Sequence, residues 1–508
     1  MDELQAAPPE TEATALHKGR LGVIGIVFFV VAAAGPLVGM TGALPPAMVL
    51  GSGTGVPGAY VLIGIVLVIF SIGYSAMSHH ITNTGAFFAY VGRGLGIGPG
   101  VGSAYTSLVA YLAIQLAVYG FFGATMKSQA IEHFDLDWAW WVWAFIAWAL
   151  VLLLSLFSVD VGAKVLGGLM LLELGSLLLM SLAVFFQGGG DEGLVLSASF
   201  APDKVLVGGL TGPAGISLSF AFASYIGFEA TAIYGEEAKN PKRTVPRATY
   251  AAVGTITVLF GMTTFAVVSA LGTSTAVENA VKLSTVDKVP LANPAEVVYS
   301  VATEYVGHWL ATLMSWLVLS SLFAALLAFQ NSAARYFFSM GRAGVLPRPL
   351  DRVNRGGAPI IASITTAVIT GIVILVFVLR DLDPVVNLFF WMSGLAVVAI
   401  ALVEAMVCVA VIVFFRRSGA DASVWRTVVA PILAFIGLVL GIYLLVSHFG
   451  LLAGTSAKGV DPTKELFGLN ATGWTLVALP FAMFIIGTII GLLRKRSENV
   501  DAVEDLVH

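Results

Sequence analysis

Charge is the scarcest property of this sequence. Of its 508 residues only 11% are Asp, Glu, Lys or Arg, against 58% hydrophobic, and such a chain cannot present the charged surface of a water-soluble protein of this length. Cysteine is nearly absent too: Cys408 is the only one, so no disulfide can form within the chain, and its place inside an apolar run reads as a small core residue. The 7 histidines include no pair at metal-ligand spacing, so no metal and no other cofactor is expected. The net charge of −4 says nothing about nucleic acid by itself; the basic residues are spread over short connections rather than gathered on one surface, and no nucleic-acid partner is expected.

Long apolar stretches fill the space that charge leaves. Twelve candidate spans lie near 21-50, 57-78, 99-126, 138-158, 161-187, 213-237, 247-271, 305-338, 359-380, 385-415, 426-448 and 472-493, each long enough for the hydrocarbon core of a bilayer. The expected fold class is an all-α polytopic membrane protein with 12 transmembrane helices. An even count puts both termini on one side. Nineteen of the 26 Lys and Arg fall in the N-terminus, the connections on that side and the C-terminal tail, so the positive-inside rule places both termini in the cytoplasm and the chain in the plasma (inner) membrane.

Residues 1-20 and 494-508 then read as cytoplasmic tails, and the outer connections 188-212 and 272-304 as short loops. Lys18 and Arg20, followed by Leu21 to Val31 and three alanines, share features with a cleavable signal peptide. The apolar run continues past the small residues, which favours a first membrane span.

That first span carries the most informative segment, Gly35-Pro36-Leu37-Val38-Gly39-Met40-Thr41-Gly42. Its glycines remove side chains, and Pro36 removes an amide donor and clashes with the preceding turn, so helical hydrogen bonds are lost. A second interruption stands five spans later at Ser224-Tyr225-Ile226-Gly227-Phe228-Glu229. Unsatisfied backbone in hydrocarbon costs several kcal/mol per group, so broken helices survive only where protein, water or a ligand meets them. Two such helices in corresponding positions point to a secondary transporter with a site at the bilayer midplane.

The stretch from Phe222 through Ala223, Ser224 and Gly227 to Thr231, followed by Gly235-Glu236-Glu237-Ala238-Lys239-Asn240-Pro241-Lys242-Arg243-Thr244-Val245-Pro246-Arg247-Ala248, strongly resembles the sixth-span signature of the amino acid-polyamine-organocation (APC) permeases. Asn83-Thr84-Gly85-Ala86-Phe87-Phe88-Ala89-Tyr90 is similar to the family's segment between spans 2 and 3, and Asn331 to Arg335 with Gly341 to Pro347 to its end of span 8. The resemblance covers roughly 20 to 420 and implies a LeuT-like arrangement. Spans 1-5 and 6-10 would form a 5+5 inverted repeat with helices 1 and 6 broken, a transport core over 21-420 and peripheral spans 11-12 over 421-493. The usual Gly-Ser-Gly of span 1 is here Gly39-Met40-Thr41-Gly42, and the place of a substrate-covering aromatic is Ala223, with Phe222 or Tyr225 as substitutes.

What the resemblance implies for the site is an amino acid or small amine with its carboxylate on amides freed near Gly39, Met40, Thr41 and Gly42. Its ammonium would face carbonyls around Phe222, Ala223, Ser224, Tyr225, Ile226 and Gly227. Tyr111 and Gln115, at i and i+4 on span 3, share one face and are candidate pocket residues, with a polar packing stripe as the alternative. Three carboxylates lie well inside spans, Glu173, Glu229 and Glu404, and each charge at mid-membrane costs about 2.5–3.5 kcal/mol, so function is the first hypothesis. By its match to the family pattern Glu173 stands beside the sodium position of sodium-coupled relatives, where a buried carboxyl is suited to proton uptake; a packing role as a hydrogen-bonded acid and the balancing of a cationic substrate are the alternatives. Glu229 is a candidate for coupling or for tying the broken helix. Glu404, three turns from Arg416-Arg417, is one for gating or polar packing. Glu236, Glu237 and Arg335 are candidates for an inner gate.

The expected function is a secondary active importer of an amino acid or small amine, coupled to protons rather than sodium, working by alternating access as a monomer or weak homodimer. A polyamine carrier and an amino acid/amine antiporter are the alternatives. A channel would need a filter motif and an enzyme a convergent set of reactive groups, and the spans offer neither.

Overall fold

A computed structural model describes residues 19, 21–81, 87–156, 159–235, 237–286, 288–291, 293–354, 357–419 and 423–494. Both expected tails lie outside these residues apart from Gly19 and Arg494, as do Glu236 and the Asn83–Ala86 part of the second family motif. Among the described residues there is no β-strand, only three isolated bridges, as expected of chains that must satisfy their backbone within each span.

Among the described residues eleven helices are long and apolar enough to cross a bilayer. The twelfth expected span is shorter: Trp140–Ser155 has 16 residues, about 24 Å at 1.5 Å per residue, against about 30 Å of hydrocarbon. Trp138 and Trp143 stack at its first end, suited to the headgroup boundary. The outer connections are not plain loops. They hold the short helices Leu196–Phe200, Pro202–Val205, Ala276–Ser284 and Ala295–Tyr305.

Burial separates centre from rim. In span 6, Pro213–Tyr234, 94% of the apolar window is buried in protein, whereas in span 12, Ala471–Leu493, it is 28%, so one is wrapped by other helices and the other faces lipid. Span 1, Val23–Val49, packs against spans 5, 6, 7 and 8, and span 6 against spans 2, 7, 8, 10 and 11. Span 3, a 38-residue helix from Ile97 to Phe134, braces the assembly by contacting spans 4, 8, 10 and 12. The two interrupted helices therefore sit together in the middle.

Candidate substrate-binding site

Span 1 winds as an α-helix over Val23–Ala34 and stops at Gly35, whose φ of 52° and ψ of 63° lie in the left-handed region. Glycine enters that region without steric cost, and the following proline forbids continuation. Pro36 has no amide, so the carbonyl of Ala32 loses its helical donor. The helix restarts at Pro36, passes through a wide π-turn over Gly39–Ala43 and continues over Leu44–Val49. At the restart the Leu37 amide donates to Glu173 Oε1 at 2.7 Å. A carboxylate at the start of a helix segment is stabilised by the exposed amides there.

This corrects the expected location of the freed amides. Gly39 to Gly42 remain wound, with the Gly39 amide donating to the Gly35 carbonyl at 2.9 Å and Thr41 Oγ1 donating to the Leu37 carbonyl at 2.8 Å. The chain opens one turn earlier, and the amide exposed there is already taken by Glu173.

Span 6 is helical over Pro213–Ser224, turns through Tyr225–Gly227 and resumes as a 3-10 helix over Phe228–Tyr234. Gly227 has φ 111°, and a Cβ there would stand 3.0 Å from Ala33 and Ala34 of span 1, so glycine is required by both conformation and space. Glu229 closes the break from within: Oε2 accepts the Gly227 amide at 2.8 Å, and Oε1 accepts the Tyr111 hydroxyl at 3.0 Å. Tyr74 adds a brace, donating to the Glu229 carbonyl at 2.9 Å and accepting the Ala232 amide at 3.2 Å.

A cavity of about 130 Å³ joins the two breaks. One water-sized solute needs roughly 10–15 Å³ on the same measure, so the space suits about ten heavy atoms, the size of an amino acid. Span 1 contributes Ala33, Ala34, Gly35, Val38, Gly39, Gly42 and Ala43, and span 6 contributes Phe220, Ala223, Ser224 and Ile226. Aliphatic and aromatic side chains complete the wall, including Ile114, Val118, Leu322, Phe329, Phe389, Phe390, Val397 and Phe449. Among the described residues no charged one lines it. Ser224 and Ser393 supply the side-chain hydroxyls, and Ser393 Oγ has no partner among the described residues.

The chain also has informative relatives. The sequence model of the amino acid permease family matches residues 23–499. The chain belongs to the amino acid permease family. Among curated proteins it is similar to the branched-chain amino acid permease BcaP of Lactococcus lactis subsp. cremoris, 24% identical over 337 residues, which is 61% of this chain and 65% of the relative. It is also similar to the putrescine transporter PotE of Haemophilus influenzae, 24% identical over 264 residues, 52% of this chain and 53% of the relative. The match thus spans between about half and two thirds of these relatives' lengths. Among solved structures, the substrate-bound outward-open state of a Na+-coupled sialic acid symporter superimposes with a TM-score of 0.50 at 14% identity, covering 83% of this chain and 89% of that one. The architecture is therefore LeuT-like, in a multi-pass member of the APC superfamily.

Within this family member, several expected site residues lie off the cavity wall. Tyr111 is committed to Glu229, and Gln115 Nε2 donates to Gln330 Oε1 at 2.7 Å, while Ile114 and Val118 of the same helix line the cavity. Phe222 packs on Gly441, and the Tyr225 hydroxyl donates to the Tyr60 carbonyl at 3.0 Å, so neither expected lid covers the space. Met40, Thr41 and Gly227 are also outside the lining. Phe220, Phe329, Phe389, Phe390, Phe449 and Ser393 go unrecognised in the sequence, because nothing in an apolar run marks which ring turns inward.

At the end of span 6, where the sequence placed an inner gate, Arg335 and Glu237 form a buried ion pair. Nη2 stands 2.9 Å and 2.8 Å from the two carboxylate oxygens, and Nε donates to Oε2 at 3.1 Å. The guanidinium also covers the Tyr234 ring at 4.8 Å and donates to the Asn331 carbonyl. Beside it, the Leu21 amide donates to the Glu237 carbonyl and the Lys239 amide to the Leu21 carbonyl. Glu404 does not reach the arginines at its helix end: Arg417 Nη1 donates to the Gly94 carbonyl, and Glu404 faces the span 6 break instead.

Proposed function

We propose that the chain is a secondary active transporter that carries an amino acid with an apolar side chain into the cell, driven by protons. The cavity carries this reading: it is amino-acid-sized, uncharged, and bounded by both broken helices. A zwitterion's charged ends would be met by backbone groups and hydroxyls at the breaks, and its side chain by the aliphatic and aromatic wall. The named activity of the Lactococcus relative agrees with that wall. A diamine, suggested by the Haemophilus relative, would bring a second ammonium into a space with no carboxylate on its lining, at a large desolvation cost.

The arrangement suits alternating access. The sealed end holds the Arg335–Glu237 pair and the Leu21 backbone bridge, while the cavity runs toward Phe389, Phe390, Phe449 and Leu452, the ends that the charge distribution assigns to the outside. Both termini would then be cytoplasmic in the plasma membrane. Glu173 is placed to link a proton to this cycle, since its carboxyl caps the restarted half of span 1, and Glu229 holds span 6. Uptake of labelled leucine, alanine and putrescine into proteoliposomes, with and without an inward proton gradient, tests the reading. Leucine accumulation that follows the proton gradient supports it; absence of accumulation under any ion gradient overturns it. Full pH dependence in Glu173→Gln would remove Glu173 from the coupling role.

A further inference from the structure

Glu404 is the buried carboxyl for which the structure provides no bond. It is 1% exposed, in the middle of span 10, and neither carboxylate oxygen has a hydrogen-bond partner among the described residues. Glu173 and Glu229, by contrast, each accept a backbone amide. The Glu404 carboxyl lines a second, small cavity of about 10 Å³ with Leu67, Phe222, Tyr225, Ile226, Phe228, Val397 and Ile400. Tyr225 and Ile226 belong to the opened turn of span 6, with Phe222 and Phe228 on the helical segments either side of it, and Ile226 and Val397 line the substrate cavity as well. These two side chains are the partition between the two spaces.

We propose that Glu404 is a proton-binding site of the transport cycle, separate from Glu173, that exchanges its proton through the opened turn of span 6. Space and chemistry select the ligand. A volume of about 10 Å³ admits one water at most, which excludes a substrate ammonium. A metal cation would need several oxygen ligands, and the other lining side chains are apolar apart from the Tyr225 hydroxyl, which is engaged with Tyr60. A proton needs no coordination shell. It converts the carboxylate into a neutral acid that such surroundings tolerate, and its loss leaves a charge that they do not. The titratable groups facing Glu404 are Cys408 on its own helix, Glu229 and Tyr225 on span 6. From span 2 it meets Leu67, and no described cation pairs with it. A change in its charge would therefore be felt at the turn that walls the substrate cavity, by displacing Ile226 or admitting water.

The proposal rests on the transporter reading for its consequence but not for its first test. Infrared difference spectra of the purified full chain at about pH 8, far above the ordinary carboxyl value near 4, report neutral carboxylic acids directly. The expected result is an acid carbonyl band that persists in Glu173→Gln and Glu229→Gln and disappears in Glu404→Gln. A band that persists in Glu404→Gln, or no band in the wild type, overturns the proposal. In proteoliposomes Glu404→Gln should lose the part of the pH profile that Glu404→Asp retains. A Glu404→Gln profile that superimposes on the wild type makes the group an inert buried acid and overturns it equally. Should Glu404→Gln not fold, disappearance of the wild-type band in Glu173→Gln or Glu229→Gln still overturns the assignment, and its persistence in both supports it. If no solute is transported at all, the functional reading fails while the infrared result stands.

Discussion

The two broken helices solve one problem in different ways. Span 1 opens at a left-handed glycine, and its loose amide is tied by Glu173 from another helix, 136 residues away in sequence. Span 6 opens at Gly227, and its loose amide is tied by Glu229, two residues further on. The first tie depends on the packing of span 5, so relative motion of the spans can alter it. The second travels with its own helix, and Tyr111 and Tyr74 reinforce it. The tie at span 1 is therefore made across two spans, whereas that at span 6 is closed within two residues of the same chain segment.

The largest expected effect comes where the helices end together. Arg335→Ala removes the guanidinium paired with buried Glu237, and loss of one partner of a buried pair costs about 3–5 kcal/mol. Thermal unfolding in detergent should show it, with the Glu237→Ala/Arg335→Ala double variant losing less than the sum of the two. A smaller loss would mean that the inner halves are held by the backbone bridge alone. Next comes Gly227→Ala against Gly35→Ala. The former adds a clash with span 1 backbone at 3.0 Å to a backbone strain of about 1–3 kcal/mol. At Gly35 the nearest atom is Ser321 Oγ at 3.6 Å, leaving only the left-handed cost of about 1–2 kcal/mol. Equal destabilisation would remove the distinction between the breaks.

The two ties can be cut separately. Glu173→Ala strands one donor, the Leu37 amide, at about 1–3 kcal/mol, while Glu173→Gln keeps an acceptor and should retain stability. Glu229→Ala strands both the Gly227 amide and the Tyr111 hydroxyl and should cost more in the same melt. The smallest effect lies outside the membrane, in the loop before span 12. There the Thr463 and Lys464 side chains hold the Asp461 carboxyl down at about 2. A depressed value contributes stability above the ordinary carboxyl range that is lost as pH falls through about 2. A carbon-detected NMR titration of Asp461 in Thr463→Ala should move the midpoint upward without affecting either break.

How much of this is legible in the sequence follows from which forces leave a mark there. Length and polarity expose the spans, and Gly35-Pro36 and Gly227 announce broken helices because few other residues tolerate those backbone geometries. The pairing of Glu237 with Arg335 is legible through the family motifs that carry both residues. The position of the first opening is not, because Gly39 and Gly42 advertise the same freedom as Gly35 and only tertiary contact selects among them. Span 3 shows the same limit. Its polar stripe, Tyr111 and Gln115, looks like a binding face, yet buried polar groups seek each other first, and the apolar neighbours Ile114 and Val118 are left to line the cavity.

The backbone bridge at Leu21 has a further consequence. Because it is built from amides and carbonyls, no side-chain replacement short of proline, which lacks the amide hydrogen, deletes it. Its two rungs join the beginning of one interrupted rod to the end of the other, so any separation of those two ends must break both together. The rate at which deuterium replaces the hydrogens on Leu21 and Lys239 would then be a clock for that event, readable without any transported solute.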